Sequence, residues 1–161
     1  MKKHKLLIGR SELIAFPDFF IDTIPAKTDT GAYRSAIHAS DIVVKTEGGK
    51  KILTFQLLKG HAGAPYHREV KTADFKKVTV ENSFGHEEER YSVVLKVKVG
   101  PRVCMTEFTL ADRSKKTYPV LLGRTLTNGR FMVDTEISNI DRRKLKTLKV
   151  NLQEDLEVSD K

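Results

Sequence analysis

The sequence predicts an all-β fold, a closed β-barrel with one short helix, and three observations carry that expectation. The middle of the chain is a succession of short runs that alternate apolar and polar residues or are rich in β-branched ones, as strands with one buried face do. Each run stops at a Gly, Pro or Asn turn signal, at a spacing that suits a barrel and not strand–helix–strand units. Arg124 to Asn128, closed by Gly129, reads as the short helix.

In chain order, the apolar, Pro-containing stretch Phe19 to Pro25 leads into a polar segment, and Ile42-Val43-Val44 resumes as strand. Gly48-Gly49 ahead of Lys50-Lys51 is a hairpin turn. Ile52 to Leu58, Lys77 to Glu81, Tyr91 to Val99 and Val103 to Leu110 are the central strands, divided by Gly60 to Pro65, Asn82 to Gly85 and Gly100-Pro101. After the helix, Phe131-Met132-Val133 is a last strand. Residues 1–135 form the expected domain and 136–161 a charged C-terminal extension, basic over Arg142 to Lys149 and acidic at Glu154, Asp155, Glu157 and Asp160. Leu145, Leu148, Leu152 and Leu156 recur at helical spacing there, while Leu148, Val150 and Leu152 alternate like a strand.

Composition sets bounds. A chain of 161 residues makes one domain, able to bury roughly two thirds of the surface its unfolded form exposes. No apolar run approaches bilayer length, and Met1 to Arg10 has too short an apolar core for a secretory signal, so a cytoplasmic location is the expectation. The single Cys104 excludes an internal disulfide and a zinc ribbon, and its neighbours Val103 and Met105 mark it as a buried strand residue. With 29 Lys and Arg against 21 Asp and Glu, the net charge of +8 attracts polyanions. No nucleic-acid motif or aromatic–basic platform accompanies it, so nucleic acid is not the expected partner.

Two strings carry chemistry. Asp29-Thr30-Gly31-Ala32 falls in a turn between two strands, where backbone N–H groups fix a carboxylate and Gly31 admits a close backbone approach. Thr30 is expected to turn its hydroxyl inward and brace the loop. Leu121-Leu122-Gly123-Arg124 places a glycine 94 positions after Asp29, and it resembles the apolar-apolar-Gly strand end that acid proteases pack against their catalytic turn, where only a residue without a side chain lets two backbones meet.

On these residues the chain resembles the retropepsin-like peptidases of bacteria and archaea, a family often labelled ATP-dependent zinc protease. Its first string is met at Ala26, Lys27, Asp29, Thr30, Gly31, Ala32, Ser35, Ala36, His38 and Ala39. Its second is met at Leu121 to Arg124, Gly129, Arg130, Phe131, Val133 and Asp134, with Thr127 where Leu is usual. The resemblance implies a retropepsin-like (acid protease) barrel and an aspartic endopeptidase, with Asp29, Thr30 and Gly31 catalytic. Ala32, Arg34, His38, Arg90 and Arg124 are then the expected substrate contacts. Since the chain has one Asp-Thr-Gly, a two-carboxylate mechanism requires a homodimer. Ala32 lacks the hydroxyl that would favour the ionised form, which moves the expected working range toward neutral pH. Retroviral relatives have an Asp directly after the Ala, paired with the Arg of the second string; here it is Tyr33, so Arg124 must find another partner or bind substrate.

Relatives also accompany ligases that add glutamates to a ribosomal protein, and one branch removes such tails. The implied substrate is an acidic peptide or protein segment, with a glutamate-tailed ribosomal protein the leading example. Lys27, Arg34, Arg68, Arg90, Arg124 and Arg130 are candidates to hold its carboxylates. A non-catalytic module of the same fold that binds an acidic protein is the alternative. The mobile hairpin of such proteases is expected within Val78 to Tyr91, with its tip near Ser83 to His86; His61 to Pro65 is the other candidate loop.

No metal or cofactor is expected. His86-Glu87-Glu88-Glu89-Arg90 starts like a zinc-protease helix but has Arg90 where the second His must stand. No phosphate-binding Gly-x-x-x-x-Gly-Lys string is present. His38 reads equally as a substrate contact and as a satisfied structural histidine.

Overall fold

The computed structural model describes residues 4–82 and 84–140; the ambiguous leucine pattern beyond Leu145 lies outside them. Strands β1 (Leu6–Phe16), β2 (Ile21–Thr28), β3 (Ser35–Glu47), β4 (Lys50–Leu57) and β5 (Arg68–Thr72) come first. They are followed by β6 (Lys76–Glu81), β7 (Glu87–Val99), β8 (Arg102–Ala111), β9 (Val120–Leu122), helix α1 (Arg124–Thr127) and β10 (Phe131–Ser138). Six strands close a mixed barrel in the order β1, β2, β9, β3, β8, β7, with β7 returning to β1 through Ile14 opposite Val99. The predicted all-β barrel with one short helix is thus the fold observed.

Alternation builds the core. In β7, Val93, Leu95, Val97 and Val99 turn inward while Val94 and Lys98 face out, and in β4 Leu53, Phe55 and Leu57 are fully buried. They join Ile14, Phe16, Ile24, Ile37 and Phe108 in one cluster, where the Phe16 and Phe108 rings meet edge to face at 5.8 Å. Gly48 and Gly49 have φ of +56° and +79°, the two left-handed positions of a two-residue hairpin, and Glu47 pairs with Lys50. Halfway along β3 the register slips between Ser40 and Val43, with Asp41 at φ +52°. The bulge sends the strand from the barrel into a second sheet with β4 and β5.

Two strands went unread in the sequence. In β1 the pattern breaks at Gly9 to Glu12, a bulge where buried Glu12 accepts the Gly9 N–H (2.6 Å) and the Asn139 amide (2.5 Å). β5 has one inward apolar residue, Val70. β10 runs to Ser138, past the expected boundary at 135, and lies parallel to β1. Cys104 is half-buried against the core cluster instead of inside it, in the part of β8 that pairs with β7 before the pairing with β3 begins at Phe108.

Candidate active site

Asp29 is held at the end of β2 by the backbone of β9. The parallel ladder Ala26–Val120, Lys27–Leu121, Thr28–Leu122 ends with the Asp29 N–H donating to Leu122 O at 2.9 Å. The Ala32 N–H then closes the turn on Asp29 O (3.3 Å), and the Gly31 N–H donates to Asp29 Oδ1 (2.9 Å), which fixes the carboxylate. A Cβ on Gly31 would stand 3.3 Å from that oxygen, a tight contact that would press the carboxylate out of place by a few tenths of an ångström. Thr30 is exposed at the outer corner of the turn, and contrary to expectation it is its carbonyl that is engaged, by Arg124 Nη1 at 3.0 Å.

The second string closes over this turn. The Arg124 and Thr125 N–H groups donate to Ala32 O (2.9 Å) and Tyr33 O (2.8 Å), and the Gly123 N–H to Ser35 Oγ (3.0 Å). A Cβ at Gly123 would fall 2.5 Å from Arg34 O, inside any real contact distance. Arg124 finds the partner its sequence lacked in the Thr30 carbonyl and in the Tyr33 ring, 5.9 Å from its guanidinium; Arg34 lies 5.7 Å from the same ring.

A cleft of about 870 Å³ opens over Asp29. Lys27, Arg34, Arg90, Arg113, Lys116 and Arg124 line it, with Asp29 and Glu81 as the opposing charges. The β6–β7 hairpin supplies Thr79 to Asn82 as one wall, and at its tip Asn82 Oδ1 accepts the Phe84 and His86 N–H groups. Glu87 to Arg90 continue as strand, so the His-Glu pattern has no helix face on which to gather a metal. The loop His61 to Pro65 is not part of the wall.

The expected substrate contacts divide. Ala32, Arg34, Arg90 and Arg124 are on the wall, yet Arg34 is paired with Glu107 (2.5 Å) and Arg90 with Glu88. Arg68 and Arg130 are spent on backbone carbonyls, Phe19 O for the first and Thr125 O and Leu126 O for the second. Of the two readings of His38, its surroundings favour the satisfied structural histidine. It is 3% exposed, its Nδ1 accepts the Arg113 N–H (2.9 Å), and its Nε2 donates to Lys59 O (2.9 Å). Arg113 and Lys116 were missed, because Asp112 to Thr117 reads as an ordinary polar loop. Burial lowers the pKa of the Arg113 guanidinium and Arg90 adds to this, while Asp29 opposes it.

Glu107 anchors the Arg34 side of the cleft. Burial alone would raise its pKa, but the Ser92 hydroxyl (2.8 Å), Arg34 and Lys76 (3.5 Å) together bring it below the ordinary value of 4.5. A carboxyl depressed by folding stabilises the fold above its unfolded pKa, and this contribution disappears as pH falls through the folded value. Glu107→Gln should therefore lower the melting temperature at pH 7, and the gap from the parent protein should shrink on acidification below about pH 4. A gap that stays constant down to pH 2.5 would show that the ionised form is not what matters.

Residues 7–144 match the RimB-like family, described as retropepsin-like aspartic endopeptidase RimB. The chain is 30% identical over 136 residues to a probable alpha-L-glutamate ligase of Shewanella pealeana, a match covering 83% of this chain and 29% of that protein. A protein of the same name from Shewanella halifaxensis gives the same figures, and one from Desulfotalea psychrophila is 28% identical over 130 residues, 81% of this chain and 28% of that protein. The chain thus spans under a third of the length of these relatives. A crystal structure of Lpg0085 from Legionella pneumophila, of unknown function, superposes with a TM-score of 0.66 at 26% identity, covering 84% of this chain and 97% of that one. The match over residues 7–144, the barrel and the Gly123-clamped Asp29 turn agree: the chain belongs to the RimB-like family of retropepsin-like aspartic endopeptidases.

Proposed function

We propose that the protein is an aspartic endopeptidase that cuts an acidic, glutamate-rich segment of a protein substrate. The observation that carries this reading is the placement of Asp29 at the floor of a cleft walled by six Lys and Arg side chains. In the active homodimer two Asp29 carboxyls meet across a two-fold axis and hold one proton between them, since two like charges that close cannot both be ionised. The ionised member takes a proton from water as its oxygen bonds to the scissile carbonyl carbon, and the protonated member donates to the carbonyl oxygen. Collapse breaks the C–N bond with a proton passing to nitrogen, leaving a carboxylate and an amine.

Asp29, Thr30 and Gly31 form the catalytic turn in this reading, and Ala32, Arg90 and Arg124 contact the substrate. Arg34 acts through its ion pair with Glu107. The glutamate ligases among the relatives support an acidic substrate by the chemistry of their name, although they share with this chain only the matched part. A glutamate-tailed ribosomal protein is the leading physiological candidate, and the cytoplasm the corresponding location.

The test is incubation of the protein with glutamate-tailed and neutral peptides, followed by mass spectrometry. Shortened glutamate tails, with the neutral peptides intact and the rate falling as salt rises, are the expected result. Tight binding without any cleavage would instead establish the non-catalytic module.

A further inference from the structure

Given an acidic peptide as substrate, we propose that Arg113 selects a substrate carboxylate beside Asp29, and that His38 and His61 are positioning residues that hold its loop. The other guanidiniums on the wall reach the cleft with a nitrogen already engaged: Arg34 by Glu107, Arg90 by Glu88, and Arg124 by Thr30 O, with the Tyr33 ring beside it. Lys27 and Lys116 are exposed ammonium groups, which attract charge but offer no fork. Arg113 differs. Its Nε donates to the neutral Tyr118 O at 2.9 Å, and among the guanidiniums of the cleft it alone has neither a described carboxylate partner nor an Nη engaged by a described residue. Asp29 attracts it without forming an ion pair among the described residues. The Arg113 fork therefore lines the cleft with donors that no described residue takes, and a carboxylate matches it bidentately.

The loop that carries Arg113 is clipped at two points by buried imidazoles. His38 Nδ1 accepts the Arg113 N–H (2.9 Å), and the His61 Nε2–H donates to Lys116 O (3.0 Å). Each ring has its other nitrogen engaged, His38 Nε2 on Lys59 O and His61 Nδ1 by the Gly63 N–H (2.9 Å), which defines the neutral Nε2–H tautomer of both. The rings pack edge to face at 5.4 Å. Between the clips the Lys116 N–H donates to Arg113 O (2.9 Å), so the stretch from 113 to 116 is a single braced turn. Both histidines are 3% exposed and neither lines the cleft, so their contribution passes through this loop.

The experiment uses the full chain carrying Asp29→Asn, so that binding is read without turnover. Fluorescent hexaglutamate and hexaglutamine peptides are titrated, and preference is the ratio of their affinities. Arg113→Lys keeps the charge and loses the fork, so it should weaken glutamate binding about tenfold or more with little effect on the glutamine peptide. Arg113→Gln, the second variant should the first fold poorly, should remove most of the preference. His38→Ala should cut the preference as Arg113→Lys does, and the double variant should lose no more than either alone, as residues acting through one contact do. If His38→Ala does not fold, His38→Gln, which keeps a donor and an acceptor, takes its place. Folded Arg113 variants that retain a preference shown by their parent overturn the role of Arg113 and leave the acidic substrate standing. A parent without preference removes the acidic substrate itself, and Arg113's role with it. Equal weakening of both peptides by the His38 variants would reduce His38 to a purely structural residue.

Discussion

Asp29→Asn should give a folded protein that no longer hydrolyses peptides. Asparagine keeps an Oδ1 to accept the Gly31 N–H now 2.9 Å from the carboxylate, so the turn retains its closing bond. The side chain is only half-buried, which keeps the change in stability within about 0.5 kcal/mol. The amide cannot share a proton or take one from water, and loss of such a group slows catalysis by on the order of 10⁴-fold. Product analysis by mass spectrometry and a melting curve on the same preparation check both halves. Turnover by the purified variant at even a tenth of the parent rate would end the aspartic mechanism.

Gly123→Ala should cause the largest loss of stability of any single methyl added at the site. The new carbon would stand 2.5 Å from Arg34 O, 2.6 Å from Arg34 C and 3.0 Å from Ala32 O. All three are backbone atoms tied into the Asp29 turn, so no side chain can swing aside to relieve the clash. The cost is expected at or above the top of the ordinary range for overpacking, about 3 kcal/mol. For a domain of this size that lowers the melting temperature by about 6–12 °C. Activity should fall beyond what stability explains, because relief of the clash must separate the Ala32–Arg124 and Tyr33–Thr125 bonds that frame Asp29. A thermal shift under about 2 °C would mean that the two backbones are not so closely apposed.

The parts of this fold that were legible in the sequence are those where one local rule acts alone. The alternation of Val93 to Val99, the Gly48-Gly49 hairpin and the glycine of Leu122-Gly123-Arg124 each declare their structure within a few residues. β1 was illegible because Glu12, a charged residue at 7% exposure, is buried to satisfy the Gly9 bulge and Asn139, a partner 127 positions away. Arg113 escaped notice for the same kind of reason. Among Asp112, Ser114 and Lys115 it looks like surface, and only the spatial tie to His38, 75 positions earlier, makes it a wall of the cleft. His38 itself was noticed by pattern, but its direction is a tertiary fact that spacing does not encode.

The clamp on Asp29 is also a statement about folding order. Thr30 and Arg124 are 94 positions apart, and β1 meets β10 across nearly the whole described chain, with Leu6 beside Phe131. Such distant pairings give a high contact order, and their loop-closure entropy must be overcome before the contacts return any stability. The local hairpins β3–β4 and β6–β7 therefore have the shorter path to form, and the β2–β9 ladder the longer. During synthesis, a chain that has not yet reached Gly123 carries Asp29 without the backbone that aims it. The carboxylate is made 94 residues before the glycine whose strand places it.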